Sequence, residues 1–343
     1  MVKVLLAGDR FVTPEVLAEA LARHVPGAET SVLQGNFPEA PLADIGGVTE
    51  AVGDEDELIA ALQGVDVCFT HTHPLTAKVL AACPDLRMIT VCRGGPVNAD
   101  AAAATAAGVV LSFTPGRNAT ATTEHSVAMI LAAVRQIAQR HGELIAGQWR
   151  GDYYRYEQVG PELAGGTAGL VGYGAIGSRV AAILQALGMT MRVFDPYLSE
   201  DLPAGIEKVD ALDDLLASAD LLTIHARLTA ENAGLIGARE IALMPPGSVL
   251  VNCARGGLLD YDALCDALDS GHLYAAACDV LPFEPLPPDH RILRTERLTV
   301  TPHLAGASKQ AAHLAAEIGA ADIAAFLRGD RPRHVANPEV LAG

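Results

Sequence analysis

Three ionisable residues stand in short loops, each following an apolar, strand-like run: Arg255 in Val-Asn-Cys-Ala-Arg-Gly-Gly, Glu284 in Asp-Val-Leu-Pro-Phe-Glu-Pro-Leu, and His303 in Thr-Pro-His-Leu-Ala-Gly. A guanidinium fork holds a carboxylate with two parallel hydrogen bonds, which an ammonium cannot do. Histidine changes charge near neutral pH and suits a proton donor or acceptor at a reacting oxygen. A carboxylate beside that imidazole favours its protonated form. Cation, acid/base and carboxylate together are what an α-hydroxy or α-keto acid needs to react at C2.

A second constellation precedes them. Gly172, Gly174 and Gly177, with Ala175 and Ile176 between them, fit G-x-G-x-x-G after the apolar run Gly169 to Val171. The first glycine permits a tight turn, the second lets backbone approach a pyrophosphate, and the third allows close helix-to-strand packing. Ile176, Val180, Ile183, Leu184 and Leu187 then recur at helical spacing, and Gly188 ends the run. The new helix N-terminus offers free N–H groups to the pyrophosphate. Asp195 lies 18 residues after Gly177, at the end of a second strand, where it would accept hydrogen bonds from ribose hydroxyls. Pro196 and Tyr197 follow it rather than arginine, which favours NAD over NADP.

The elements that must position these groups follow from periodicity. Strand-like runs at Val2 to Leu6, Thr30 to Leu33, Val65 to Thr70, Met88 to Cys92 and Val109 to Phe113 alternate with helix-like segments. Thr13-Pro14 caps the first helix, while acids open those at Asp54 to Leu62 and Asp100 to Ala107. The stretch from Gly35 to Gly53 reads as irregular. A long amphipathic helix, Thr122 to His141, crosses towards a turn-rich, tyrosine-bearing segment. After Asp195, strands at Leu221 to Ile224, Val249 to Asn252, Ala275 to Asp279 and Leu298 to Thr301 bring the second set to six. The expected fold class is α/β, with two doubly wound parallel-sheet domains: a Rossmann domain, 118–306, inserted in a flavodoxin-like domain, 1–117 and 307–343. The last helix, Ser308 to Arg328, returns to cover the N-terminal sheet.

Composition sets the limits. The 343 residues carry 24 basic and 41 acidic side chains, a net charge of −17, which argues against nucleic acid or an anionic membrane as partner. The start lacks a signal-peptide pattern, and no apolar window reaches membrane-spanning length. Six cysteines without a C-x-x-C pair fit a reducing, cytosolic home.

With these residues in place, the chain to about residue 335 resembles the D-isomer-specific 2-hydroxyacid dehydrogenases. That resemblance implies Arg255 as substrate-carboxylate and carbonyl binder, His303 as acid/base and Glu284 as its hydrogen-bonded partner. It implies that Asp279 lies near the nicotinamide, and that His225, Ala254 and Gly306 join the cofactor set. Gly94 and Gly95 would present backbone N–H groups to the substrate carboxylate, with Arg93 and His71 nearby. It further implies reversible hydride transfer between NAD and a small D-2-hydroxy acid, hinges near Thr114 to Asn118 and Thr301 to Gly306, and, with the apolar helix, a homodimer. Non-enzymatic NAD(H)-sensing corepressors retain the same triad and form the rival class. Glu284 speaks against formate oxidation, where a glutamine is placed, and less strongly against phosphite oxidation.

Departures bear on the substrate. The loop Cys92-Arg-Gly-Gly-Pro-Val-Asn-Ala-Asp100 is shorter than the family's usual one and carries a proline, and Thr70 stands where phosphoglycerate dehydrogenases tend to have arginine. Arg227 occupies a frequent proline position, without an assignable role. His71 and His73, in Thr-His-Thr-His-Pro, read as cleft-lining specificity residues, as surface histidines, or as half of a metal site lacking further ligands; no metal is expected.

Overall fold

The computed structural model describes residues 1–199 and 201–342, which divide into two compact units, Met1–Asn118 with Ala307–Gly343, and Ala119–Gly306.

The first unit runs β1 (Lys3–Gly8), α1 (Pro14–His24), β2 (Glu29–Gln34), β3 (Ala43–Ile45), β4 (Val48–Ala51), α2 (Glu55–Ala61), β5 (Val67–Thr70), α3 (Ala77–Ala82), β6 (Met88–Val91), α4 (Ala101–Ala106) and β7 (Val110–Phe113). Its parallel sheet has the order β2-β1-β5-β6-β7. Strands β5 and β6 are buried along their whole length, which is why they read as continuous apolar runs rather than alternating ones. Thr13, Asp54, Thr76 and Asp100 cap the helices that follow them, each accepting a backbone N–H on its side chain.

The supposedly irregular stretch holds a small antiparallel hairpin, β3 with β4. Gly46 and Gly47 turn it with φ of 56° and 92°, a pair of left-handed residues that only a tight hairpin turn uses. A three-residue strand with little burial and a four-residue strand buried only at its two ends, Val48 and Ala51, leave no apolar alternation to read.

The second unit opens with α5 (Ala119–Arg135) and α6 (Ile137–Ile145). It continues through β8 (Thr167–Val171), α7 (Gly177–Ala186), β9 (Thr190–Phe194), β10 (Ile206–Lys208), α8 (Leu212–Leu216), β11 (Leu221–Ile224), α9 (Ala238–Leu243), β12 (Ser248–Asn252), α10 (Tyr261–Asp269), β13 (Leu273–Cys278) and β14 (Leu298–Val300). The sheet is parallel, ordered β10-β9-β8-β11-β12-β13-β14, so it has seven strands where six were expected. The added member, β10, is a three-residue, largely exposed edge strand, too short to show a period. The expected single long helix is two, because Gln136 takes a left-handed φ of 49° between α5 and α6. Helix α5 packs Met129, Ile130, Ala133 and Val134 into the sheet's core, whereas α6 buries no residue.

The last α-helix is α11 (Lys309–Leu327), whose alanines pack against β1, β5 and β6 of the first unit. Gly319 is required there, since a Cβ would lie 2.6 Å from the Phe69 ring. In both sheets strand order reverses about the first strand, at β1/β5 and at β8/β11, and crevices for ligands form beyond the carboxyl ends at such points.

Candidate active site

At the β8/β11 reversal the three glycines do three different things. Gly172 has φ of 94°, and a Cβ on it would lie 2.8 Å from Ala226 N. A Cβ on Gly177 would meet Gly172 O at 2.3 Å, so α7 can approach β8 only through glycine. A Cβ on Gly174 would meet nothing within 4 Å, so that side of the turn is open, as close approach of a pyrophosphate to the helix N-terminus requires. Ala175 is exposed and Ile176 caps α7. Asp195 follows β9 and turns its carboxylate back to this loop, accepting from Tyr173 N at 2.8 Å and Tyr197 N at 3.0 Å. His225, after β11, is hydrogen-bonded to Thr223 Oγ1 at 3.0 Å, and burial pushes its imidazole down to about 4, so it is neutral. These residues fit a dinucleotide by shape, dipole and charge.

The loops after β12, β13 and β14 carry the ionisable trio. Asn252, fully buried, accepts Ala254 N at 3.0 Å and donates to Arg255 O at 3.0 Å, fixing the loop while the Arg255 side chain stays exposed. Gly256 locks it to the next loop: a Cβ there would sit 2.1 Å from Leu281 O. Leu281 N in turn donates to Glu284 Oε1 at 2.9 Å, aiming Oε2 at His303 Nδ1, 2.6 Å away.

That contact sets the electrostatics. The hydrogen bond from Glu284 raises the His303 pKa above its ordinary value, against opposition from burial and the Arg255 charge. For Glu284, burial works upward, but His303 and the Leu281 N–H outweigh it and hold the carboxyl low. The result is an imidazolium persisting above the usual histidine range beside an ionised carboxylate.

His303 is also conformationally unusual, with a left-handed φ of 55° that costs free energy in a non-glycine residue. Asp279 supplies the restraint. Its backbone carbonyl accepts His303 N at 2.7 Å, and its carboxylate accepts Thr301 Oγ1 at 2.6 Å and the N–H groups of Leu304 and Ala305, both at 2.8 Å. The carboxylate placed near the nicotinamide by resemblance is thus spent on holding the 301–305 turn, which ends at half-buried Gly306. His125 of α5 joins it, 3.1 Å from Thr301 Oγ1 and 3.3 Å from Asp279 Oδ1; no local pattern around His125 signals this.

The residues expected around the substrate carboxylate lie in the first unit. Gly94 and Gly95, after β6, have nothing within 4 Å of a would-be Cβ, and among the described residues their N–H groups have no protein acceptor. Arg93 pairs with the Glu50 side chain and donates to Glu50 O at 3.1 Å. His71 and His73 are not surface residues; each is only 3% exposed. They follow the end of β5, so strand alternation does not govern where they point, and Asn98 clamps their loop by donating to both carbonyls. His71 Nδ1 lies 2.6 Å from Asp9 Oδ2, with the Phe11 and Phe37 rings against the imidazole. Among the described residues no group of histidine, cysteine or acid side chains could hold a metal. Arg227 is exposed, and nothing in the structure explains it.

A doubly wound sheet bearing this glycine cradle and a ribose-placed acid is the architecture of dinucleotide-binding α/β domains. Residues 127–305 match the family described as D-isomer specific 2-hydroxyacid dehydrogenase, NAD binding domain. A glyoxylate reductase of Korarchaeum cryptofilum is 31% identical over 333 residues, covering 96% of each chain. A D-3-phosphoglycerate dehydrogenase of Archaeoglobus fulgidus is 38% identical over 263 residues, covering 76% of this chain and 49% of that one. The chain therefore spans about half the length of the curated phosphoglycerate dehydrogenases it matches. Among solved structures, the TT0316 protein of Thermus thermophilus superposes with a TM-score of 0.81 at 28% identity, covering 97% of this chain and 99% of that one. The chain belongs to the D-isomer-specific 2-hydroxyacid dehydrogenase family.

Proposed function

We propose that this chain is an NAD-dependent oxidoreductase that interconverts a small 2-keto acid and the corresponding D-2-hydroxy acid. The observation that carries this reading is the Glu284–His303 pair, within reach of the Arg255 charge and, like the glycine cradle, beyond the carboxyl ends of the strands of one parallel sheet. The nicotinamide, when bound, supplies hydride transfer to or from C2. In the reducing direction protonated His303 gives its Nε2 proton to the carbonyl oxygen as it becomes a hydroxyl. Arg255 binds the carboxylate and stabilises charge developing on that oxygen, an electrostatic contribution that grows toward the transition state. Glu284 keeps the imidazole charged and oriented, and Asp279 holds the turn on which it rides. The Gly94 and Gly95 N–H groups are assigned to the substrate carboxylate, with Arg93 and His71 behind them. Asp195 is assigned to the adenosine ribose, where its charge disfavours a 2′-phosphate, and His225, Ala254 and Gly306 complete the cofactor contacts.

The functional division assigned, 1–117 with 307–343 for substrate and 118–306 for NAD, differs from the two compact units only at Asn118. Thr70 cannot replace the arginine of phosphoglycerate enzymes, because its buried hydroxyl donates to Ala7 O at 3.0 Å; a non-phosphorylated acid is the better match. A homodimer is supported by α6, whose Ile137, Leu144 and Ile145 are 54–75% exposed, and light scattering tests it. Six buried free cysteines fit a cytoplasmic protein, and no helix among the described residues is long and apolar enough to cross a membrane. Following NADH oxidation with glyoxylate, hydroxypyruvate and sugar-derived 2-keto acids tests the activity. Turnover of one or more is expected, and inactivity with every acid, despite NADH binding, would favour a sensor.

A further inference from the structure

The turn that carries His303 is held in part by a helix from a distant stretch of the chain. Met129 of α5 is buried with Val251 of β12 and Ala277 of β13, which anchors the helix on the sheet. One helical turn earlier, on the same face, His125 reaches the carboxyl ends of β13 and β14, where it meets Thr301 and Asp279. All of these groups belong to the second unit, so the arrangement is complete within it.

Counting protons fixes what His125 does. The Thr301 hydroxyl has one proton, and its 2.6 Å contact with Asp279 Oδ1 uses it. Thr301 Oγ1 must therefore accept at its 3.1 Å contact with His125 Nε2, so that nitrogen carries a proton. The same nitrogen stands 3.3 Å from Asp279 Oδ1, a carboxylate only 1% exposed, for which a further N–H offsets the loss of water. With Nε2 engaged there, His125 is not a second proton donor to substrate. Thr301 and Asp279 also hold the His303 backbone, since His303 N donates to Asp279 O at 2.7 Å and to Thr301 O at 3.0 Å. A histidine at φ of 55° keeps that conformation only while its surroundings over-determine it. Relaxation of the turn would swing the imidazole off Glu284 Oε2, 2.6 Å from Nδ1.

Resting on the keto-acid reduction proposed above, we infer that His125 is a positioning residue for His303: its Nε2–H locks the Thr301 hydroxyl onto Asp279 and so fixes the turn that aims the acid/base imidazole at Glu284. No chain neighbour of His303 can replace it, because the donor comes from 178 residues away, on a helix that the sheet holds rigid.

The test compares His125→Gln, whose amide nitrogen can still donate to Thr301, with His125→Leu, which keeps bulk without a donor, and with Thr301→Val. Steady-state kinetics gives kcat and KM, fluorescence titration gives NADH affinity, and NMR of histidine-labelled protein titrates His303 without turnover. His125→Leu and Thr301→Val should each lower kcat by roughly tenfold to a hundredfold, with NADH affinity little changed. The double variant should lose no more than either single one, because both break one coupled contact. His125→Gln should stay near the wild type. The charged groups facing His303 are Glu284, Arg255 and Asp279, and Glu284 is the chief support of its proton. Its titration should therefore fall toward the ordinary 6.5 in His125→Leu and stay raised in His125→Gln. Near-UV circular dichroism checks folding, and Thr301→Val carries the same comparison if His125→Leu does not fold. Unchanged kcat in His125→Leu, equal damage in His125→Gln, additive losses in the double variant, or an unmoved His303 titration would each overturn the assignment. A protein that reduces no keto acid, yet whose His303 titration falls in His125→Leu and not in His125→Gln, would keep the positioning role and overturn the proposed activity instead.

Discussion

The carboxyl ends of the two parallel sheets carry two histidine–carboxylate pairs of the same length and opposite character. His303–Glu284 and His71–Asp9 both have Nδ1 to oxygen distances of 2.6 Å. The first pair is 36% and 37% exposed, the second 4% and 0%. Exposure decides the outcome. Where water still reaches the pair, hydrogen bonding and charge outweigh desolvation, and the imidazole gains affinity for its proton. Where burial is complete, desolvation wins, and the imidazole stays neutral beside an ionised carboxylate. A short histidine–carboxylate contact therefore does not by itself identify an acid/base; solvent access and a neighbouring substrate-binding cation do.

The largest effects should come from removing the exposed site. His303→Ala is expected to lower kcat by about two to four orders of magnitude with NADH affinity little changed, measurable by steady-state kinetics and fluorescence titration. Arg255→Ala should lose about two to three orders and also weaken keto-acid binding, seen as a rise in KM. Either variant retaining full activity would erase the functional distinction between the pairs. Next in size is Gly256→Ala, whose new methyl would collide with Leu281 O and part the Arg255 loop from the Glu284 loop. A displacement of that kind costs on the order of a hundredfold in kcat/KM while the fold persists, as circular dichroism would verify.

The buried histidines should announce themselves in stability rather than rate. His73 is pushed down to about 4 by burial, and His71 is lowered as well. Below pH 6.5 the unfolded chain takes up protons that the folded chain refuses, so stability falls as pH drops from 6.5 towards 4. For His73 alone the loss amounts to about 3 kcal/mol. Asp9, whose pKa is lowered in the fold, adds its loss only below its ordinary value of 3.8. Thermal melts of wild type and His73→Gln across that range measure it; the variant should show the shallower acid limb, and identical limbs would contradict the assignment.

Much of this was legible in the chain. The Gly172–Gly177 spacing announces its turn because each glycine answers a separate steric demand, and α1, α2, α4 and α11 announce their starts through capping residues. Arg255, Glu284 and His303 are recognisable because each stands in a short loop after an apolar, strand-like run. What stayed hidden depended on tertiary placement. Strand β10 and the β3–β4 hairpin are too short to show a period. The break at Gln136 leaves the helical pattern on both sides intact. His71 and His73 look polar enough for a surface, yet Asp9, 62 residues before His71, makes burial possible. Asp279 carries no local sign that its carboxylate must hold a left-handed histidine.

The pH dependence of kcat/KM for keto-acid reduction, measured in wild type and Glu284→Gln, bears most directly on the claim that an exposed, carboxylate-supported His303 donates the proton. Because His303 must be protonated, the rate should be full at low pH and fall as pH rises through a pKa above 6.5. Glu284→Gln removes the principal cause of that elevation, so the fall should move to lower pH, with the low-pH plateau reduced less than the rate at neutral pH. A falling limb at the same pH in both proteins, or none in the wild type, would contradict the assignment of His303 as the proton donor.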